Sequence, residues 1–393
     1  MAKPNFILPN KPAIKAGSIL SYNYTDDLKF AAEPLDFSRN GSATRVNEQG
    51  LIETTSANMS RIDYSDSSTE PSLLLEPQST NLFTYSNDFT QDWQGGGAGA
   101  FTITSNAVIS PDGTLNASKL IAPGPNVGYQ LKQNKAIIKT QMSNSFYMRT
   151  NQGTRRMSIH INDNELRETF VVTSEWKRYT VSGLVGGTLN GGGRCSLVNL
   201  DILDENNHVY IWGAQLEQQS YATSYIPTSG STATRLGETA DNAGSAGVFN
   251  SEEGVLYAEY KIGGDSTDSY QIISLRDSTS SDSDVVGIGK HNYTNDIFIR
   301  LSIGSVGVFS NLSATPIDGY NKVAISYKSG NSSAWVNGTK VYSSSSTFTP
   351  SRTLSELSFQ WRSPDQFNFY GKTKDLKVFN YALTDEELQT LTT

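Results

Sequence analysis

The side chains that could act as nucleophiles or bases are few and far apart in this sequence. The histidines are His160, His208 and His291, and the single cysteine is Cys195. Nucleophilic catalysis needs a base beside the nucleophile, and no histidine lies near Cys195 in sequence. No G-x-S-x-G elbow occurs either. The sequence therefore predicts solvated histidines and an inert buried thiol.

The sequence also offers little evidence for the pair of acids that a glycoside-cleaving site needs. Such a site needs two carboxylates about 5 to 10 Å apart, which on a strand favours acids two or four residues apart. Glu252 and Glu253 are adjacent, so they face opposite ways. Asp201 and Glu205 come closest, but Glu205 falls beyond the predicted strand. We therefore expect a chain that is not an enzyme.

Aromatic rings are the stronger candidates for recognition. Exposed Trp and Tyr rings can stack on the C–H faces of sugars, while amide and carboxylate groups bind hydroxyls. For any single ring, packing in a core or an interface is the alternative role. The candidate rings, three in each of two modules, are Trp93, Tyr129, Trp176, Tyr293, Trp335 and Trp361.

Short alternating apolar runs must position these rings. Met157, Ile159 and Ile161 share one face of a strand, and the same spacing recurs with Gly-rich turns between the runs. Only near the C-terminus does a helix signal occur, where Thr384 and Glu387 form a capping box. The pattern predicts an all-β chain of two tandem antiparallel β-sandwiches, or jelly rolls, after an irregular N-terminal arm, with one short C-terminal helix.

Shifts in composition divide the chain into three parts. Several prolines interrupt residues 1–70, which predicts an arm. A Ser-, Thr- and Gly-rich stretch near residue 238 separates the two sandwiches. We therefore predict a first jelly roll over residues 71–238 and a second sandwich over residues 239–393.

Charge and hydropathy restrict the classes of partner. The 393 residues carry a net charge of −8, and 18% of them are charged, against about 25% in an average domain. A negative chain argues against nucleic-acid binding, and no apolar run is long enough for membrane insertion. The N-terminus also lacks the apolar segment of a secretory signal. We expect a soluble protein made in a cytoplasm, whose polar, Tyr-rich surface meets hydroxylated partners or copies of itself.

Several stretches resemble a family of bacteriophage virion proteins, the tail-fibre or capsid-fibre adhesins. Residues 35–46 and 72–82 look like the opening of that family. Residues 209–217 are similar to its linker signature, which ends a jelly roll that resembles carbohydrate-binding modules. Residues 334–338 and 376–388 look like parts of a laminin-G or concanavalin-A-like lectin domain.

This resemblance implies a virion protein, on a tail or capsid fibre, that is synthesised in the host cytoplasm. Its sandwiches would bind a host-surface glycan without enzymatic activity, and its N-terminal arm would contact other virion proteins. We expect a homo-oligomer, a trimer, because multivalency raises the avidity of weak sugar sites. Two alternatives stay open: a purely structural decoration or spacer, and a depolymerase of surface polysaccharide.

The resemblance also implies a possible Ca²⁺ site. Laminin-G-like sandwiches often hold one Ca²⁺ at a rim through carboxylate, amide and backbone oxygens, as suits a hard cation. Solvated loop acids are the alternative. The acids of the second sandwich that could supply such ligands are Asp265, Asp268, Asp282 and Asp284.

Overall fold

The computed structural model divides the chain into two compact units. The terminal unit comprises Met1–Gly41, Thr55–Pro77 and Gly237–Thr393, and the central unit comprises Ser42–Thr54 and Gln78–Leu236. The structure describes residues 3–8, 14–15, 18–24, 30–186, 193–263, 270–277, 279, 283–292, 294–361 and 367–393.

Nearly all regular structure in the described residues is β-strand. In chain order the elements are β1 (Phe6–Leu8), β2 (Ile14–Lys15), β3 (Ser18–Tyr24), β4 (Phe30–Ser38), β5 (Ala43–Val46), β6 (Ile52–Thr55), β7 (Arg61–Asp63), β8 (Ser72–Leu75), β9 (Ser79–Asn81), β10 (Thr102–Ile109), β11 (Leu115–Ile121), β12 (Gln130–Lys135), β13 (Thr140–Thr150), β14 (Arg155–Ile161), β15 (Leu166–Val172), β16 (Lys177–Val185), β17 (Gly193–Asn199), β18 (Val209–Glu217), β19 (Ala233–Arg235), β20 (Thr239–Asp241), β21 (Glu253–Ile262), β22 (Gln271–Arg276), β23 (Val285–Lys290), β24 (Ile297–Ile303), β25 (Val306–Ala314), β26 (Asn321–Lys328), β27 (Ser332–Val336), β28 (Thr339–Ser344), β29 (Glu356–Ser358), β30 (Gly371–Phe379) and α1 (Asp385–Thr392). The prediction of an all-β chain with one short C-terminal helix is confirmed.

The terminal unit is a sandwich of two sheets. Its larger sheet has the strand order β20-β4-β3-β1-β30-β21-β26-β27-β28, with β2, β7 and β8 attached beside this path. Its smaller sheet has the order β25-β24-β23-β22-β29. Alternate side chains of each strand point inward, so Leu256 and Leu376 of the larger sheet share one core with Ile288 and Ile299 of the smaller. The predicted antiparallel sandwich is therefore present here.

The N-terminal segment differs from the irregular arm that the prolines suggested. It contributes strands to the terminal unit, and in β1 Phe6 lies opposite Val378 of β30. Pro34 lies inside β4 opposite Leu20, whereas β20 pairs only with residues 36–38 of that strand. Among the described residues Pro34 thus has a strand neighbour on one side only, and proline is tolerated at such edge positions.

A buried ion cluster joins the three segments of the terminal unit. Glu238 accepts hydrogen bonds from Arg39 Nη1 at 2.7 Å and Arg61 Nε at 2.8 Å, and Arg61 also pairs with Glu76 at 2.8 Å. Burial alone would lower the pKa of Arg61, but the two carboxylates more than offset it and the pKa lies above its ordinary value. We call these four residues the ion cluster. It fixes the positions where the chain leaves and re-enters this unit.

The central unit is a second antiparallel sandwich. A five-stranded sheet of order β10-β11-β18-β13-β16 faces a four-stranded sheet of order β12-β17-β14-β15. Phe146 and Met148 of the first sheet pack against Ile159 and Leu197 of the second, and all four are fully buried. The alternating run from Met157 to Ile161 forms β14, as the sequence pattern predicts.

A short hairpin covers part of the outer face of the five-stranded sheet. Strands β5 and β6 pair with each other alone. Ile52 of this hairpin packs with Trp212 and Tyr225, and Val46 flanks the same cluster. The Asn47 side chain accepts hydrogen bonds from the backbone N–H groups of Gln49 and Leu51 at 3.0 Å each, which shapes the turn.

The C-terminal helix begins as its capping box predicts. Glu387 N–H donates to Thr384 Oγ1 at 3.3 Å, and Thr384 N–H donates to Glu387 Oε2 at 3.0 Å. Leu388 packs the helix on the outer face of the larger sheet beside Trp335. Across the part of the chain that is described, no helix has the length and apolar character of a membrane span.

Candidate functional site

A cleft lies on the central unit, where the β5–β6 hairpin meets the outer face of the five-stranded sheet. Its volume is about 560 Å³, within the range of about 300–1,000 Å³ that is typical of small-ligand sites. We call it the hairpin cleft. Its lining residues are Val46, Gly50, Leu51, Ile52, Val108, Ile109, Ser110, Pro111, Tyr147, Arg149, Trp176, Lys177 and Arg178.

Strand register decides which side chains reach the cleft. Met148 of β13 points into the core, so its neighbours Tyr147 and Arg149 point to the outer face. Tyr147 lies opposite Trp212 of β18, and Arg149 lies opposite Tyr210. Four polar or aromatic side chains therefore stand side by side on one outer face of the sheet.

Trp176 provides the aromatic wall of the cleft. It directly precedes β16 and is half-buried. Its Nε1 donates a hydrogen bond to the carbonyl of Ile109 at 3.0 Å, which fixes the ring. Ile109 and Leu51, which also line the cleft, are 52% and 39% exposed. The rim thus offers apolar surface beside an oriented indole.

The cations of the cleft are held in different ways. The Arg178 guanidinium donates to Ser145 Oγ at 3.0 Å and to the carbonyl of Thr223. The Arg149 guanidinium instead lies 5.0 Å from the ring centre of Tyr210 and 5.6 Å from that of Trp176. Such cation–π contacts hold an arginine in place without using its N–H donors.

Two other predicted rings of the central unit are packing residues in the core. Trp93 Nε1 donates to the carbonyl of Tyr85 at 2.9 Å, and its ring packs 4.8 Å from that of Phe83. Tyr129 is 6% exposed and packs on Phe101. Neither ring is among the residues that line the hairpin cleft.

The predicted rings of the terminal unit do not form an exposed platform in the described residues. Trp335 is 6% exposed, and its Nε1 donates to Ser333 Oγ at 3.1 Å. Trp361 is equally buried and packs on Phe298, with the Arg300 guanidinium 4.6 Å from its ring centre. Tyr293 lies outside the described residues. Of the five described candidates, Trp176 alone lines the hairpin cleft.

The predicted calcium ligands lie mostly outside the described residues, as Asp265, Asp268 and Asp282 do. Asp284 is fully buried and accepts hydrogen bonds from the N–H groups of Gly304 and Ser351, at 2.9 and 3.1 Å, and from the Ser351 hydroxyl. Its carboxylate therefore already anchors two loops. Within the described ranges no group of three or more His, Cys, Asp or Glu residues is placed to hold a metal ion. The Ca²⁺ site stays a prediction.

The remaining reactive side chains have structural partners. His160 and His208 are each 7% exposed, so the prediction of solvated histidines is wrong for these two. Burial lowers the pKa of His160, whose Nε2 lies 2.8 Å from Ser158 Oγ. Cys195 is fully buried, which raises its pKa to about 11. Asp201 pairs with Arg156 at 2.8 Å and Glu205 with Lys119 at 3.0 Å, so these two carboxylates are engaged by different cations.

Sequence reasoning missed Arg149, Tyr147 and Tyr210. The alternation of side chains along a strand could have identified them. Tyr147-Met148-Arg149 and Tyr210-Ile211-Trp212 both place large polar or aromatic groups on one strand face. The sequence pattern alone does not show that β13 and β18 are neighbours in the register that aligns them.

Comparisons with known proteins find only distant similarity. No protein-family model and no curated protein matches the chain. Among solved structures, it is similar to the CBM40 domain of the Ruminococcus gnavus IT-sialidase, with 15% identity over 39% of this chain and 94% of that chain and a TM-score of 0.32. Domain 4 of AbnA, a GH43 extracellular arabinanase from Geobacillus stearothermophilus, gives 14% identity over 44% and 84% and a TM-score of 0.31.

A phage protein is also among the similar structures. The enzymatically active domain of tailspike protein 4 from bacteriophage CBA120 shares 16% identity, over 35% of this chain and 21% of that chain, with a TM-score of 0.25. All three TM-scores lie below 0.5, so the function proposed for this chain rests on its own residues.

Proposed function

We propose that this chain is a non-enzymatic glycan-binding protein, and that it serves as a fibre or adhesin of a phage virion that recognises host-surface carbohydrate. The hairpin cleft is the observation that supports this proposal. It combines an oriented indole, Trp176, with apolar rim residues and hydrogen-bond donors, which are the groups that bind sugar faces and sugar oxygens.

The composition of the cleft favours binding over catalysis. Its described lining residues include the cations Arg149, Lys177 and Arg178 but no carboxylate and no histidine. General acid–base cleavage of a glycosidic bond needs a pair of carboxyl groups. A sugar in this cleft would therefore be held by stacking and hydrogen bonds, with no acid or base of the lining beside it.

The virion role rests on the resemblance of residues 35–46, 72–82 and 209–217 to phage fibre proteins. In this role the segment 1–70 contacts other virion proteins, and the chain assembles as a homotrimer on a tail or capsid fibre. The terminal unit, which resembles laminin-G or concanavalin-A-like lectins, provides the second sandwich of the fibre.

A glycan array probed with the full chain and with a Trp176→Ala variant tests the proposal. We expect binding to glycans of the host envelope, with about tenfold weaker binding by the variant, because stacking on the indole is lost. Tyr381→Ala, which removes a 40% exposed ring of the terminal unit, is the matched control and should bind normally. The free chain should also compete with particles for host adsorption.

Two outcomes would contradict this proposal. One is that the full chain retains no glycan, and the other is that Trp176→Ala binds as well as the parent chain while both melt at the same temperature. The first outcome would favour the second candidate function, a purely structural decoration or spacer. That candidate is supported by the burial of Trp335 and Trp361, which leaves the terminal unit without an exposed indole among its described residues.

A further inference from the structure

Of the two guanidinium groups that line the hairpin cleft, that of Arg149 donates no hydrogen bond to any described residue. The two aromatic contacts, to Tyr210 and Trp176, hold its plane from neighbouring positions on the sheet. Its Nε is buried without a hydrogen-bond partner, and no carboxylate of the described chain pairs with it. The Arg149 side chain is half-buried and lines the cleft, so an acceptor that enters the cleft can bond to guanidinium N–H groups that have no acceptor among the described residues.

The surroundings of Arg149 favour an anionic acceptor over a neutral one. Lys177 and Arg178 also line the cleft, and neither takes part in an ion pair within the described residues. Three cations therefore share one concave surface whose described lining includes no acid, although Asp112 accepts a hydrogen bond from the lining residue Ser110 at 2.6 Å. This concentration of positive charge is local, since the chain as a whole carries a net charge of −8. Like charges brought together in a cleft attract a ligand of the opposite charge.

The shape of the Arg149 guanidinium indicates which class of anion would bind. Arginine presents its N–H donors as a rigid planar fork, which matches the two oxygens of a carboxylate in a bidentate pair. Trp176 stands beside this fork with its ring fixed by the Ile109 carbonyl. A pyranose that stacks on the indole can thus place a substituent at Arg149.

We propose that the hairpin cleft binds a saccharide unit that carries a carboxylate, with Arg149 pairing with the carboxylate and Trp176 contacting the apolar face of the ring. This inference rests on the proposed glycan-binding function and names the class of sugar. The carboxylate can come from a uronate within a polysaccharide or from a terminal sialate, and both present the same planar anion.

Calorimetric titration of the full chain with matched sugars tests this assignment. The probes are a glucuronate-containing tetrasaccharide, sialyllactose, and the methyl ester of each, which keeps the sugar but removes the charge. We expect one of the two acids to bind about tenfold tighter than its ester, and the preference to shrink at high ionic strength. Which acid binds distinguishes the uronate from the sialate.

Variants at Arg149 distinguish the contribution of its charge to ligand binding from that of its planar guanidinium. Arg149→Met should abolish the preference for the acid over its ester, and Arg149→Lys should restore only part of it, because lysine keeps the charge but not the fork. Arg300→Met is the matched control, since it removes an arginine that stacks on Trp361 in the terminal unit. It should leave binding unchanged. Thermal melting of each variant shows that it is folded.

The outcomes distinguish this inference from the function on which it rests. Equal affinity for acid and ester, or an Arg149→Met variant that keeps the preference, overturns the carboxylate assignment while glycan binding stands. A glycan array and titrations without any binding overturn both. Tighter binding of an acid that is lost in Arg149→Met and kept in Arg300→Met supports the inference.

Discussion

Arg149, Arg178 and Arg300 are among the described arginines that stack on aromatic rings, and their remaining contacts decide what each can do. Arg300 stacks on Trp361 and donates to Asn311 Oδ1 at 2.8 Å. Arg178 stacks on Tyr147 and bonds to Ser145 and Thr223. Only Arg149 combines two ring contacts with donors that the described protein does not use, which is why the ligand chemistry is assigned to it.

The reactivity of the Cys195 thiol reports on how tightly the core of the central unit is packed. Its sulfur is fully buried among apolar side chains, and burial raises its pKa to about 11, so the reactive thiolate is scarce at pH 8. We expect an aromatic disulfide reagent to label the native chain very slowly and the chain in concentrated guanidinium at once. Cys195→Ser supplies the blank. Rapid labelling of the native protein would contradict this position of Cys195.

At the scale of elements, the ion cluster holds together a unit made of three separate segments. Arg39 follows β4, Arg61 begins β7, Glu76 follows β8, and Glu238 precedes β20. The side chains of Arg39, Arg61 and Glu238 are inaccessible to solvent. A buried charge that loses its partner cannot be hydrated. The loss of one member therefore leaves the desolvation of the other charges less well compensated and destabilises the fold.

Glu238→Gln measures that coupling. The substitution keeps the shape of the side chain but removes the charge that pairs with Arg39 and Arg61, while Arg61 keeps its pair with Glu76. We expect the free energy of unfolding of the terminal unit to fall by about 3 kcal/mol in a denaturant titration. Glu70→Gln, which removes a surface pair with Lys374 at 2.8 Å, is the control and should change stability little. Equal stability of Glu238→Gln and the parent chain would contradict the role of the cluster.

Local signals in the sequence sufficed for several elements but not for the site. Alternation predicts β14, and the spacing of Thr384 and Glu387 predicts the start of α1, because each depends on residues within one turn or strand. The contact of Ile52 with Trp212, by contrast, joins positions far apart in the chain. No local pattern shows that residues 42–54 leave the N-terminal segment to cover the sheet of the central unit, and so the hairpin cleft was not foreseen.

At the scale of the whole molecule, the low overall charge of the chain contrasts with the local charge of the hairpin cleft. From its net charge of −8 we expect no nucleic-acid partner, and its sequence is rich in hydroxyl and amide side chains. By contrast, the described lining of the hairpin cleft has three cations and no acid. The charge distribution is therefore consistent with a protein that contacts neutral surfaces over most of its area and binds an anionic sugar in the hairpin cleft.

The most direct test of this interpretation is a crystal structure of the full chain with the acidic oligosaccharide that binds best. We expect sugar density in the hairpin cleft, with the ring against Trp176 and carboxylate oxygens within hydrogen-bond distance of the Arg149 guanidinium. Sugar density elsewhere on the molecule, with an empty hairpin cleft, would contradict the central claim.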